Sequence, residues 1–174
     1  MMTKDTARRK ALDLRKLKNP AVCSVSAADR IVLSRILEPF THIGIYYPIG
    51  REMNLLTLLD KYPDKCFYLP RTEKNISFIR YQTGDLLADG LFHTKEPVGK
   101  ETERDTIECF LIPCVAVSKD KKRIGYGKGY YDKYLKGYGG MKLGICYSDS
   151  SGWDISCDEY DIAMDIVFTE KGIQ

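Results

Sequence analysis

Three absences narrow the reading of this chain before anything present in it does. No apolar run approaches the ~18 residues of a membrane-spanning helix, so a membrane partner is not expected. None of the six cysteines stands in a C-x-x-C pair, which disfavours both zinc ribbons and a disulfide framework. Histidine occurs twice, and a lone loop histidine such as His93 is more often a bonded structural residue than a catalyst. The amino terminus is rich in lysine and arginine without an apolar secretory core, so the expected compartment is the reducing cytoplasm. There Cys109 and Cys114, flanking Phe110 to Pro113, behave as small hydrophobes.

The bulk properties exclude little more. At 174 residues the chain is long enough for one well-buried domain, and 44% apolar with 29% charged residues is ordinary for a soluble globular protein. A net charge of +3 suits a small anionic ligand as well as it suits nucleic acid.

What the chain does have is one dense stretch, Arg123-Ile-Gly-Tyr-Gly-Lys-Gly-Tyr-Tyr-Asp-Lys-Tyr134. Gly125, Gly127 and Gly129 permit φ > 0 and a close approach of another group, at a cost in chain entropy. Lys128 offers a phosphate-seeking cation and Asp132 a metal-seeking carboxylate. The segment reads as a phosphate cradle, yet it matches neither common pattern. A P-loop places a hydroxyl residue after its lysine, where this chain has Gly129. A dinucleotide fingerprint is G-x-G-x-x-G, where this is G-x-G-x-G. A glycine-rich turn that merely opens a helix is the plain alternative.

Taken in order, residues 4 to 18 read as a helix with Ala7, Ala11, Leu14 and Leu17 or Lys18 on one side. Its other side carries Lys4, Arg8, Arg9, Lys10, Arg15, Lys16 and Lys18. That face is either simply solvated or a nucleic-acid arm, and the lack of an aromatic residue for base stacking weighs against the arm. Ser26 with Asp29 resembles a capping box for a second helix burying Ile31, Leu33, Ile36 and Leu37 and closed by Pro39. His42 to Tyr47 reads as a strand whose exit loop places Glu52 at a strand's carboxyl end, before a helix over Leu55 to Leu59. A strand over Lys65 to Leu69 is expected to stop at Pro70, and Ile76 to Tyr81 alternates as an edge or antiparallel strand. Ile107 to Val117 is nearly continuous apolar sequence, the mark of a central strand buried on both faces, with Pro113 near its end. The glycine stretch then opens a helix whose first N–H groups face the loop's ligand. Strands follow over Met141 to Tyr147 and Ile166 to Phe168, the last preceded by Asp161 and Asp165.

These features resemble the 5-formyltetrahydrofolate cyclo-ligase family, also called methenyltetrahydrofolate synthetase, over nearly the whole chain. The most specific likeness is Arg123 to Asp132 to the family's R-L-G-x-G-x-G-Y-Y-D motif. Supporting it are Lys4-x-x-x-Arg8, the Glu52 loop, the Glu96-Pro97 pair and Asp161-x-x-x-Asp165 followed by Thr169-Glu170. Asn54 stands where the family commonly has an acid, and Val117-Ser118 replaces its usual aromatic entry to the loop.

The resemblance implies a single α/β domain, a three-layer arrangement with a largely parallel central sheet flanked by helices. It implies ATP- and magnesium-dependent cyclisation of 5-formyltetrahydrofolate to 5,10-methenyltetrahydrofolate with release of ADP and phosphate. A paralogue that keeps folate or nucleotide binding without turnover is the alternative. By the same likeness Lys4, Arg8 and the run Arg123, Ile124, Gly125, Tyr126, Gly127, Lys128, Gly129, Tyr130 and Tyr131 hold ATP. Tyr47, Glu52 and the segment Gly127 to Tyr130 hold the folate. Lys128, Arg123 and Tyr130 stand closest to the chemistry, Asp132 and Asp165 bind magnesium, and Asp161 is a less direct participant. A monomer acting on small molecules, without nucleic acid, is expected.

Overall fold

The structure, a computed structural model, describes residues 1–174, the side chain of Phe92 excepted. The chain runs through α1 (Lys4–Lys16), α2 (Pro20–Ser34), β1 (His42–Gly44), α3 (Leu58–Lys61), β2 (Cys66–Thr72), β3 (Ile76–Tyr81), β4 (Leu87–Asp89) and β5 (Lys95–Pro97). It continues through β6 (Cys109–Pro113), β7 (Ala116–Val117), β8 (Arg123–Ile124), α4 (Tyr130–Tyr134), β9 (Met141–Ile145), β10 (Ile166–Thr169) and β11 (Gly172–Ile173). Seven strands form one sheet in the order β11-β10-β9-β6-β1-β2-β3. The five inner strands are parallel. An antiparallel strand closes each edge, β3 on β2 and β11 on β10.

The apolar run predicted to be central is β6, and all five of its residues are buried. Alternate side chains serve opposite faces. Cys109 and Leu111 join α2's Ala27, Ala28 and Ile31 in one core. Phe110 and Ile112 join Tyr131, Leu135 and Tyr138 in the other. A strand covered on both faces has no polar side to show, which is why the run lacks alternation. Among the described residues no helix is long and apolar enough to cross a membrane.

Local chemistry corrects several expected boundaries. α2 starts at Pro20 rather than at Ser26, because Asn19 accepts the Val22 N–H and proline is pre-organised at the first helical position. Ser26 is left free to donate to the Glu170 carbonyl at 2.7 Å, tying the helix to the tail, and Leu33 is exposed. β2 runs through Pro70. Its pairing with β1 ends at Tyr68, so the proline has one neighbouring strand and its missing N–H is tolerated. β1 stops at Gly44, and α3 begins three residues later than its predicted start at Leu55.

α1 differs most from its sequence reading. Its buried stripe is Ala7, Ala11 and Arg15, while Leu17 is exposed. The alanines pack on Ala116 and Ile124 of the β7–β8 ribbon and on the preceding Val115, rather than on the main sheet. This puts α1 over the carboxyl ends of the strands. From β1 the chain builds the sheet in one direction through β2 and β3 and in the other through β6, β9 and β10. The strand order therefore reverses between β1 and β6, the position at which open α/β sheets form their ligand crevice.

Candidate functional site

A cleft of about 820 Å³ opens at that reversal. Tyr46, Tyr47, Ile49 and Glu52 enter it from the exit of β1, Pro113 from the end of β6, and the whole segment Arg123–Asp132 from the glycine loop. α1 contributes Lys4 and Arg8, and the tail contributes Asp161. Every residue that the sequence points to as a site residue lines this one cleft, with the exception of Asp165.

The loop's glycines each answer a different local demand. Gly127 and Gly129 sit at φ +90° and +69°, a region that other residues rarely adopt. A Cβ on Gly125 would lie 2.5 Å from the Arg123 guanidinium, so that arginine can fold under its own loop only because the side chain is absent. Arg123 is buried, donates from Nε to the Pro113 carbonyl at 2.9 Å and lies 4.8 Å over the Tyr131 ring. Arg8 donates from Nε to the Gly125 carbonyl at 2.8 Å and pairs with Asp5. Two arginines thus brace the loop from below and from α1. Lys128, at its tip, is exposed and makes no hydrogen bond or ion pair among the described residues. α4, which follows, has five residues, too few for much macrodipole, so the cations supply the positive field.

The opposite character is found at Glu52, which is buried at the base of the cleft. It accepts the Ile49 N–H at 2.9 Å, and Arg15 lies 4.0 Å away. Burial pushes the Glu52 carboxyl above its ordinary value, against the pull of the Ile49 N–H and the Arg15 and Arg123 charges. Arg15 holds several elements at once: it donates to the Cys114 carbonyl at 2.6 Å and to the Tyr126 hydroxyl at 3.2 Å, and stacks 5.6 Å from the Tyr147 ring. The sequence reading placed Arg15 on the basic face, either solvated or a nucleic-acid arm, and not on the packed side. Its signal was available, since Ala7, Ala11 and Arg15 recur every four residues on the face that packs.

The carboxylates divide between the two ends of the sheet. Asp132 stands in the cleft, with Oδ2 3.9 Å from Arg123 and Oδ1 accepting the Ile162 N–H at 3.4 Å. Asp161 stands there too, and both its oxygens accept from Lys4 at 2.9 Å. Lys4 also reaches Asp158 at 2.7 Å, and these two partners hold its ammonium well above the usual lysine range. Asp165 is elsewhere. It precedes β10, at the amino end of the sheet, and its Oδ2 accepts the Lys142 N–H at 2.7 Å and pairs with Lys142 Nζ at 3.1 Å. The expected pairing of Asp132 with Asp165 is therefore corrected: the four-residue interval carries the chain from the cleft to the far edge, and Asp161 is the tail acid that remains. Among the described residues no group of three or more histidine, cysteine, aspartate or glutamate side chains is arranged to hold a metal by itself.

A family model described as the 5-formyltetrahydrofolate cyclo-ligase family matches residues 3–170. The 5-formyltetrahydrofolate cyclo-ligase of Mycoplasma genitalium is 39% identical over 136 residues, covering 72% of this chain and 70% of that one. The Mycoplasma pneumoniae enzyme of the same name is 42% identical over a shorter stretch of 71 residues, 40% of this chain and 43% of that one. The solved structure of Aquifex aeolicus 5,10-methenyltetrahydrofolate synthetase superposes with a TM-score of 0.87 at 29% identity, over 98% of this chain and 91% of that one. Parallel sheet, switch-point cleft and braced glycine loop define an α/β protein with its ligand site at the switch point. The chain belongs to the 5-formyltetrahydrofolate cyclo-ligase family.

Proposed function

We propose that this chain closes 5-formyltetrahydrofolate to 5,10-methenyltetrahydrofolate, consuming ATP and releasing ADP and phosphate. The observation that carries the reading is Lys128, an unpartnered cation at the tip of a twice-braced glycine loop, in the same cleft as the buried Glu52. One end of such a cleft suits a triphosphate and the other a polar heterocycle.

The formyl oxygen is a poor leaving group and is activated first. It attacks the γ-phosphorus of ATP, the bond to the ADP oxygen breaks, and the oxygen leaves later as phosphate. The N10 lone pair then attacks the formyl carbon, the carbon–oxygen bond breaks, and N10 loses its proton, leaving the methenyl bridge between N5 and N10. Phosphoryl transfer of this kind needs positioning and neutralised charge more than a protein nucleophile. In this reading Lys128 neutralises the transferring phosphoryl group, Tyr130 stands beside it, and Arg123 and Arg8 keep the loop in place. Lys4 leaves its aspartates in part to meet phosphate oxygens. Tyr47, Glu52 and the backbone from Gly127 to Tyr130 orient the folate.

Magnesium fits this cleft as an ion carried largely by phosphate oxygens and water, with one or two protein carboxylates. Asp132 and Asp161 are in position to supply them, and Asp165 is not. When bound, the ion adds to the neutralisation of the triphosphate. All of these residues come from one chain, so a monomer suffices, and six free cysteines suit a reducing cytoplasm.

The test is direct. The purified protein, incubated with 5-formyltetrahydrofolate, ATP and magnesium, is expected to form methenyl product and ADP in equal amounts, and omission of any one component is expected to stop both. Bound ATP without methenyl product would sink the reading.

A further inference from the structure

Two carboxylates are buried in the walls of the cleft, and the protein satisfies them unequally. Glu52 has a backbone N–H and the nearby Arg15 guanidinium. Glu96, on β5, is 8% exposed and receives one hydrogen bond, from the Thr72 N–H to Oε1 at 3.0 Å. No cation answers it, because the adjacent Lys95 is turned to Asp89 at 2.6 Å. Its Oε2 has no partner among the described residues, although the side chain faces the cleft. The residue is held almost wholly within the wall, yet this one oxygen opens into the cleft, where its acceptor sites face whatever binds there.

The position of Glu96 says what kind of group that is. It lies against the end of β2, two strands across the sheet from β6, whereas Lys128 belongs to the glycine loop between β8 and α4. A triphosphate is drawn to the cationic loop and repelled by this acid. What a lone, well-anchored carboxylate recognises is a neutral ring presenting N–H donors. We propose that Glu96 is a substrate-binding residue whose free oxygen accepts N–H groups of the reduced pterin ring. The inference rests on the folate reading above and adds to it a contact on the β2 side of the cleft.

Gly90 belongs to the same device. A Cβ there would lie 2.3 Å from both Cγ and Cδ of Glu96, so the carboxylate reaches its place only over a glycine. Gly90 has φ −107°, which any residue adopts, so Gly90→Ala moves Glu96 without straining the backbone.

The experiment is equilibrium binding of 5-formyltetrahydrofolate and, separately, of ATP to the wild type, Glu96→Gln and Gly90→Ala. Glu96→Gln keeps an amide oxygen for the Thr72 N–H and turns the ligand-facing acceptor into a donor. It is expected to weaken folate binding roughly tenfold or more, with ATP binding unchanged. Gly90→Ala is expected to act in the same direction with the carboxylate still present. Unchanged folate affinity in both variants, whatever their melting temperatures, would overturn the proposal and leave Glu96 as a brace between hairpin and sheet. Weakened ATP binding with folate binding intact would overturn it too, assigning the acid to the adenine. A wild type that binds no folate would instead overturn the functional reading itself.

Discussion

Two walls of one cleft treat charge in opposite ways. At the base, Arg15 and Glu52 are 4% and 5% exposed and are held by the protein's own groups. At the glycine loop, Lys128 is exposed and held by nothing. A buried pair has already met its desolvation cost during folding, so it is preorganised and stays put. An exposed cation keeps its hydration until a ligand displaces it, and its attraction is then spent on the ligand. The base is therefore a fixed template, and the loop is the part whose free energy is reserved for binding.

The largest expected effect comes from breaking the base. Arg15→Ala leaves Glu52 buried without its nearest cation and the Cys114 carbonyl without its donor, and costs about 3–5 kcal/mol of stability. Denaturant unfolding checks this, and a loss below ~1 kcal/mol would mean that the base is not a template. Next is Lys128→Ala. It is expected to leave stability within about 0.5 kcal/mol and to lower turnover on the order of 10²-fold. If it destabilised the fold as much as Arg15→Ala, the contrast between the walls would collapse.

A smaller effect separates the walls by pH. The Glu52 carboxyl is raised by burial, so the folded state binds its proton more tightly than the unfolded state does. The contribution of Glu52 to stability is thus greatest below the unfolded value of about 4.5 and declines as pH rises through the raised folded value. Melting curves of wild type and Glu52→Gln are expected to converge, or cross, over that window. The paired loss for Lys128→Ala is expected to be flat there, since Lys128 makes no hydrogen bond or ion pair among the described residues.

How much of this was legible in the sequence depends on which residues carried the signal. Strands buried on both faces announce themselves by continuous apolar runs, so β6 and the parallel core were readable, and the glycine loop by its composition. Arg15 was hidden by its type: an arginine on a basic helix reads as solvated unless the alanine stripe beside it is recognised as the packing face. Glu96 could be noticed only as half of a Glu-Pro pair, because its burial depends on β2, β5 and Gly90 meeting in space. Pro70 misled because its tolerance depends on where the neighbouring strand ends, which local sequence does not state.

Asp161 and Asp165 give the smallest and most discriminating comparison. They are four residues apart and chemically identical, and the segment between them crosses from the carboxyl to the amino end of the sheet. Asp161 stands in the cleft with Lys4, whereas Asp165 closes a hydrogen bond to the Lys142 N–H and an ion pair to the same residue. Asp161→Asn should release Lys4 and raise the magnesium concentration needed for half-maximal turnover. Asp165→Asn weakens the Lys142 contacts, at a cost of about 1 kcal/mol to stability, and should leave the magnesium dependence where it was. The measurement is a magnesium titration of turnover in both variants, beside their melting temperatures. An Asp165→Asn variant that needed more magnesium at unchanged stability would show that the tail rearranges on binding ligand. A shift confined to Asp161→Asn would show that the division of carboxylates between the two ends of the sheet persists during turnover.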